Sequence, residues 1–196
     1  MPPYKTREEW LLAAVEEIRP IFETKGHQIP LDCQVSCGFA STGTRSHHIG
    51  HCWSRKSSTD ERNQIFISPA LLEPVEVLDT LAHELIHAVD NCEHKHGKEF
   101  KKIALSLGMV GPMRSAEAGP ELKAKLVIVA QTPGPYPHGK LKVTHHKVIS
   151  RSRPRAKCPD CGFQVPMLKR FLAYGAPICP KDKIEMKQVG DWGEIE

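Results

Sequence analysis

Near the start of the chain, apolar residues recur in steps of three and four: Trp10, Leu11, Ala14, Val15 and Ile18. This spacing lays one stripe along a helix, and Thr6 followed by Glu9 is the capping-box pattern that starts one. Pro20 bends or ends the run, because proline lacks the N–H that a helix interior uses. After Gly26 and Pro30 the period shortens. β-like pieces at 33–39, 49–53 and 63–67 are separated by turn-rich stretches such as 41–45 and 57–60, which predicts a small antiparallel sheet. Ser68-Pro69 closes the last piece, and Pro74 sits where a helix first turn tolerates proline. Val75, Leu78, Ala82, Leu85 and Val89 then alternate steps of three and four, the best-defined helix in the chain. Further helices are predicted over 98–107, stopped by Gly108, and over 121–130.

With 196 residues, 40% hydrophobic and 26% charged, the chain has room for one medium domain and a small appendage. The longest apolar run, 10–15, falls far short of the roughly 18 residues that cross a bilayer. Residues 1–5 lead into a charged helical pattern instead of an apolar signal core. The expectation is a cytoplasmic protein with no membrane contact. Seven cysteines, odd in number and unevenly placed, suit reduced thiols or metal ligands better than a secreted disulfide framework. Charge is unevenly spread. Between Lys140 and Lys187 stand twelve Lys or Arg against three acids, a net +9 that leaves −5 to the rest of a chain totalling +4. Such asymmetry fits contact with a polyanion, and a solvated basic face kept for solubility explains it as simply.

Inside the best-defined helix stands His83-Glu84-Leu85-Ile86-His87, an HExxH motif. Four residues advance a helix by about 6 Å and slightly more than one turn, so both imidazoles leave one face and can share a zinc ion at about 2.0 to 2.1 Å. Glu84 projects at a different angle and suits a general base acting on water, with a zinc ion to polarise a scissile carbonyl. With 11 His and 16 Glu, chance supplies roughly 0.05 such motifs. A catalytic zinc site needs a third protein ligand. Just downstream, Glu93-His94-Lys95-His96-Gly97 offers one; His96 is preferred because Gly97 permits a tight turn into the next helix, with His94, Glu93, Asp90 and Glu99 as the alternatives. Asp79, one turn before His83, is either an acceptor for a ligand N–H or a solvated helix residue.

These residues resemble the SprT-like zinc metallopeptidase-type family, which includes the Spartan DNA-protein crosslink proteases. The resemblance runs from about Trp10 to Met186. It is carried by Ile67-Ser-Pro, by Leu81-Ala-His-Glu-Leu-Ile-His87, by His96-Gly-Lys-Glu-Phe100 and by a terminal cysteine ribbon, while Gly50-His-Cys-Trp53 and Pro135-Tyr-Pro-His138 look like bacterial or phage members. It implies that His83, His87 and His96 bind zinc, that Glu84 is the catalytic acid-base, and that the protein works in association with DNA.

Cys158-x-x-Cys161 is half of a zinc knuckle, and Cys179 follows at a plausible ribbon distance. The second half would place a cysteine three residues on, where this chain has Asp182. A carboxylate oxygen can ligate zinc, so three thiolates and one carboxylate form a possible structural site, with a degenerate ribbon held by packing as the alternative. Lys169, Arg170, Lys181 and Lys183 are candidates for phosphate contact, and Phe163, Phe171 or Tyr174 for base stacking. Cys33, Cys37 and Cys52 with His47, His48 and His51 read as core or near-core residues instead of a further metal cluster, since Cys33 and Cys37 on one strand would be about 13 Å apart. Cys92 is buried or oxidisable. Tyr136 is a candidate oxyanion donor if its segment, which includes His138, reaches the cleft.

The fold expected is α+β: a zincin-like HExxH metallopeptidase domain at 5–130, a basic proline-containing linker at 131–157, and a zinc-ribbon-like module at 158–190. The function expected is hydrolysis of peptide bonds in a protein or peptide substrate, with one catalytic and one structural Zn2+ and with DNA contacted through the basic distal segment. The alternative is a nucleic-acid-binding or transcription-associated zinc protein with little or no peptidase activity. Glu84 separates the two, because only a catalytic site needs its carboxylate.

Overall fold

The computed structural model describes residues 4–40, 48–143, 154–190 and 192. His47, the turn at 41–45 and the basic stretch at 144–153 lie outside the described residues. The chain divides into two compact units, Met1–His145 and His146–Glu196.

The first unit opens with helix α1 (Arg7–Glu23), whose N-terminus is closed by the reciprocal Thr6 and Glu9 capping box. Pro20 lies inside α1 and does not end it. It sits in the last turn, where a missing N–H costs one hydrogen bond, and Phe22 beyond it continues the buried stripe. Strands β1 (Gln34–Cys37), β2 (Gly50–Trp53) and β3 (Gln64–Ile67) form a sheet in the order β1-β3-β2. The sheet is mixed, not antiparallel throughout: β2 runs antiparallel to β3, but β1 pairs parallel to it, with Val35 beside Ile65. Alternating burial fixes which face of a strand is covered and says nothing about its direction.

Helix α2 (Pro74–Val89) starts with proline in its first turn and packs against β2, β3, α3 (Lys98–Leu107) and α4 (Pro120–Val129). It is the central helix of this unit: Leu78, Leu81, Leu85 and Ile86 have no exposed surface. Helix α3 ends at Gly108, whose φ of 94° is the left-handed conformation glycine adopts without strain. A two-stranded ribbon, β4 (Met109–Val110) with β5 (Glu117–Ala118), links α3 to α4.

The Pro133–Pro137 segment packs on α1. Trp10 Nε1 donates to Gly134 O at 2.9 Å, and buried Arg7 donates to Pro137 O at 3.0 Å and to Gly139 O at 2.8 Å. Tyr136 is buried under the Arg7 guanidinium and edge-on to Trp10.

The second unit contains a three-stranded antiparallel sheet, in the order β7-β6-β8, of β6 (Arg155–Lys157), β7 (Gln164–Pro166) and β8 (Lys187–Val189). Its hydrophobic cluster is small: among the described residues the buried members are Ala156, Cys158, Leu172, Cys179, Met186 and Trp192.

Among the described residues, no helix is long and apolar enough to cross a membrane.

Candidate active site and metal centres

Helix α2 carries His83 and His87 one turn apart, and the chain after it reverses to bring in His96. The reversal runs through Asn91, Cys92 and Lys95, all with φ near 50 to 59°. Gly97 is not the left-handed residue; its φ is −76°. Glycine is needed there for close approach, since a Cβ would lie 2.9 Å from His94 O. His96 Nε2 lies 3.3 Å from His83 Nε2 and 3.2 Å from His87 Nε2. The three imidazoles form a group that could hold a metal ion.

Three of the four alternatives to His96, namely Asp90, His94 and Glu93, are engaged elsewhere. Asp90 accepts from His94 Nδ1 at 2.7 Å and from His94 N at 2.9 Å, and Glu93 faces Lys56 at 4.0 Å. That Asp90 contact raises the His94 pKa above the usual imidazole range.

The imidazoles of the trio are held neutral. Burial, and then neighbouring imidazoles, pull His83 down to about 4 and His87 down to about 3. His96 is lowered too, by burial first and then by Arg114. Neutral imidazole is the form that ligates metal. His83 Nδ1 faces the Ala116 carbonyl at 3.3 Å, so Nδ1 bears the hydrogen and Nε2 turns its lone pair to the other imidazoles. Phe100, wholly buried on α3, lies beneath all three, with ring centroids 4.4 to 5.1 Å away. Phe100 has no site role in the sequence beyond ending the His96–Phe100 stretch; its spacing with Ala104 and Leu107, buried on the same helix, is the signal that could have marked it as inward.

Glu84 is buried between α2 and β2, and burial pushes its carboxyl up to about 8, opposed by a hydrogen bond from the Cys52 backbone. Gly50 makes room for it: a Cβ there would stand 2.5 Å from Glu84 Oε1. Two clefts, of about 500 and 640 Å³, open on either side of Glu84 and share His48, Gly50, His83 and Arg114. Asp79 does not touch an imidazole. Its Oδ1 accepts the Ala118 N–H at 2.8 Å. Tyr136 lines neither cleft.

Residues 23–121 match the SprT-like family, just over half of the chain. The chain belongs to the SprT-like family. Comparison with curated proteins and with solved structures gives no match. The matched region spans β1 through β5 and holds the whole His83, Glu84, His87 and His96 constellation of this SprT-like chain, whose family suggests a metallopeptidase-like function.

A second group that could hold a metal lies in the distal unit: Cys158, Cys161, Cys179 and Asp182. Asp182 Oδ2 lies 3.1 Å from Cys158 Sγ and 3.5 Å from Cys179 Sγ, and Cys161 Sγ lies 3.6 Å from Cys179 Sγ. Two similar turns present them. Gly162 N donates to Cys158 O, and Lys183 N donates to Cys179 O, with both Gly162 and Lys183 at positive φ. The Cys161 and Cys158 thiols hold the Asp182 carboxyl below its usual range, so it is an anionic donor at neutral pH.

The candidate stacking residues lie on the surface of the same unit. The Arg170 guanidinium covers the Phe171 ring at 4.8 Å, and Phe171 stacks with Tyr174 at 5.9 Å. Cys33 and Cys37 join no metal group among the described residues.

Proposed function

We propose that this chain is a zinc-dependent peptidase of the HExxH type that hydrolyses peptide bonds in proteins associated with DNA. The observation that carries the reading is the convergence of three imidazole nitrogens beside a buried carboxylate in an open cleft. Nitrogens bound tetrahedrally at 2.0 to 2.1 Å stand about 3.3 Å apart, which is the separation of His96 Nε2 from its two partners. Zinc bound there would act as a Lewis acid toward water and the scissile carbonyl.

The remaining steps belong to the chain. Glu84 takes a proton from the attacking water and delivers it to the leaving amine, a role for which its place in both clefts beside His83 suits it. The Ala116 carbonyl fixes the His83 tautomer. The substrate peptide would lie in the 500 Å³ cleft that Gly50, Glu84 and the Arg114–Glu117 segment line. The DNA part of the reading is supported by the basic distal segment and by the exposed Arg170, Phe171 and Tyr174 surface, which pairs cations with stacking faces.

The test compares wild type with Glu84→Gln, which keeps shape and hydrogen bonding but cannot accept the proton. Wild type should cleave an unstructured protein with zinc bound, and Glu84→Gln should retain the zinc and lose about 10²- to 10⁴-fold in rate. Equal function of the two would leave the metal a structural role and favour a nucleic-acid-binding zinc protein. Binding to DNA should weaken steeply with salt, and salt-insensitive binding would remove the DNA part.

A further inference from the structure

The Cys52 and Cys92 thiols meet in the cleft wall with Sγ to Sγ 3.5 Å apart, and Cys92 Sγ is also 3.5 Å from Cys52 O. Forty positions separate them in the chain. They come together because β2 packs along α2 while the left-handed pair Asn91 and Cys92 folds the chain back, with Cys92 N donating to His87 O at 2.8 Å. Neither thiol is sealed in the core. Both are half-buried, and both line the 640 Å³ cleft with His87 and His96.

Other cysteines behave differently. Cys33 is buried and lines neither cleft. Cys161 and Cys179 are equally close to each other, but Cys158 and Asp182 complete a four-donor group around them. Cys52 and Cys92 belong to no group of three metal donors among the described residues. Two thiols in contact, open to a cleft and without a third donor, form a dithiol and not a metal site.

We propose that Cys52 and Cys92 are a modification site, a dithiol that a hydroperoxide converts to an intramolecular disulfide. One thiol gives up its proton, the thiolate attacks the peroxide oxygen to form the S–O bond of a sulfenic acid as the O–O bond breaks, and the leaving oxygen takes up that proton and departs as water or an alcohol. The second sulfur then forms the S–S bond and displaces the hydroxyl, which departs with the second thiol's proton as water. Two electrons pass from the sulfurs to one peroxide. A disulfide needs about 2.05 Å between sulfurs, so the gap must close by about 1.5 Å, a movement within reach of side-chain rotation beside an open cleft. The new bond ties β2, whose Cys52 N–H faces Glu84, to the turn that carries His96. The chemistry stands apart from peptide hydrolysis, and so does its test.

The experiment treats the full-length, zinc-loaded chain with hydrogen peroxide, alkylates the remaining thiols and maps the digest by mass spectrometry with and without dithiothreitol. The expected result is one cross-linked pair of peptides holding Cys52 and Cys92, two hydrogens lighter than its parts and restored by reductant, while Cys33 stays alkylatable. Cys92→Ser, checked for a native circular dichroism spectrum, should leave Cys52 without an intramolecular partner. The proposal is overturned if Cys52 and Cys92 remain alkylatable under peroxide that oxidises Cys161 or Cys179. Linkage of either to Cys33, Cys37 or a second chain overturns it as well.

Discussion

Asp79 Oδ1 accepts the Ala118 N–H at 2.8 Å, two residues along the chain from the carbonyl of Ala116 that faces His83 Nδ1 at 3.3 Å. A carboxylate that touches no imidazole thereby holds the segment that sets one. The hydrogen bond restrains β5, β5 places the Ala116 carbonyl, and that carbonyl decides which His83 nitrogen is left for a metal.

Replacing Asp79 separates its hydrogen bond from its charge. Asp79→Ala removes the acceptor and should cost about 1 to 2 kcal/mol, together with a loss of zinc affinity of about 10-fold or more through His83. Asp79→Asn keeps an acceptor oxygen and removes a charge that burial disfavours. Burial raises the Asp79 pKa above its usual value, so the folded chain holds this proton more tightly than the unfolded one. The stabilisation from that proton is complete below the unfolded value and is lost as pH rises through the raised folded value. Asp79→Asn should therefore equal or exceed wild type in stability at neutral pH and lose that advantage below about pH 4. Urea titrations of the three proteins at pH 7 and pH 3.5 measure this; an Asn variant as unstable as the Ala variant at pH 7 would contradict it.

Gly50 tests the placement of Glu84. An added Cβ would stand 2.5 Å from Glu84 Oε1, 2.7 Å from Thr80 Cγ2 and 2.8 Å from Glu84 Cγ. The carboxylate has to move, whereas the three imidazoles lie outside the clash. Gly50→Ala should retain bound zinc and lower kcat by about 10²-fold or more, the range for misplacing a general base. Zinc content and kcat measured on one preparation decide it, since loss of both together would mean general misfolding.

Much of this site was legible because it is local. His83, Glu84 and His87 share one helix whose apolar period could be read independently, and the 98–107 helix with its Gly108 stop matches α3 residue for residue. What the sequence left open depends on contacts between distant positions. The parallel pairing of β1 with β3 is invisible to a period-of-two pattern, and the partner of Asp79 lies 39 residues away. The Pro133–Pro137 segment read as a connection because its prolines mark turns, whereas its carbonyls serve as acceptors for Trp10 and Arg7 on α1. Cys52 and Cys92 carry no common motif, and only the turn after α2 joins them.

The depressed imidazoles predict an acid-labile metal-free chain. His83 and His87 titrate in the fold near 4 and 3, against about 6.5 when unfolded. A lowered folded value means the unfolded chain binds more protons as pH falls below 6.5, so stability drops across the window from about 6.5 down to these values and then levels. Urea midpoints of zinc-free protein from pH 7 to 4 should fall, and His83→Gln with His87→Gln should flatten the slope. A slope unchanged by the double substitution would place the effect in other groups.

The distal unit is expected to draw stability from its four donors. Of the six buried residues in its core, Cys158 and Cys179 belong to the four-donor group, which leaves Ala156, Leu172, Met186 and Trp192, with Val165, Met167, Ala176 and Ile184 partly buried against them. So small a core is little to hold about fifty residues of chain, and a metal on the four donors is expected to supply much of the folding free energy of this unit. Wild type should therefore carry two zinc ions. Asp182→Cys should restore a four-thiolate set and slow zinc release, while Asp182→Ala should weaken the distal site by about 10-fold or more and let the Trp192 indole leave the Arg155 carbonyl it meets at 3.1 Å. An organomercurial that attacks thiolates should free one zinc per chain and leave the imidazole-bound ion in place. A wild type holding a single zinc that His83→Ala abolishes would show that the distal unit folds without metal, with Asp182 and the three thiols held by hydrogen bonds alone.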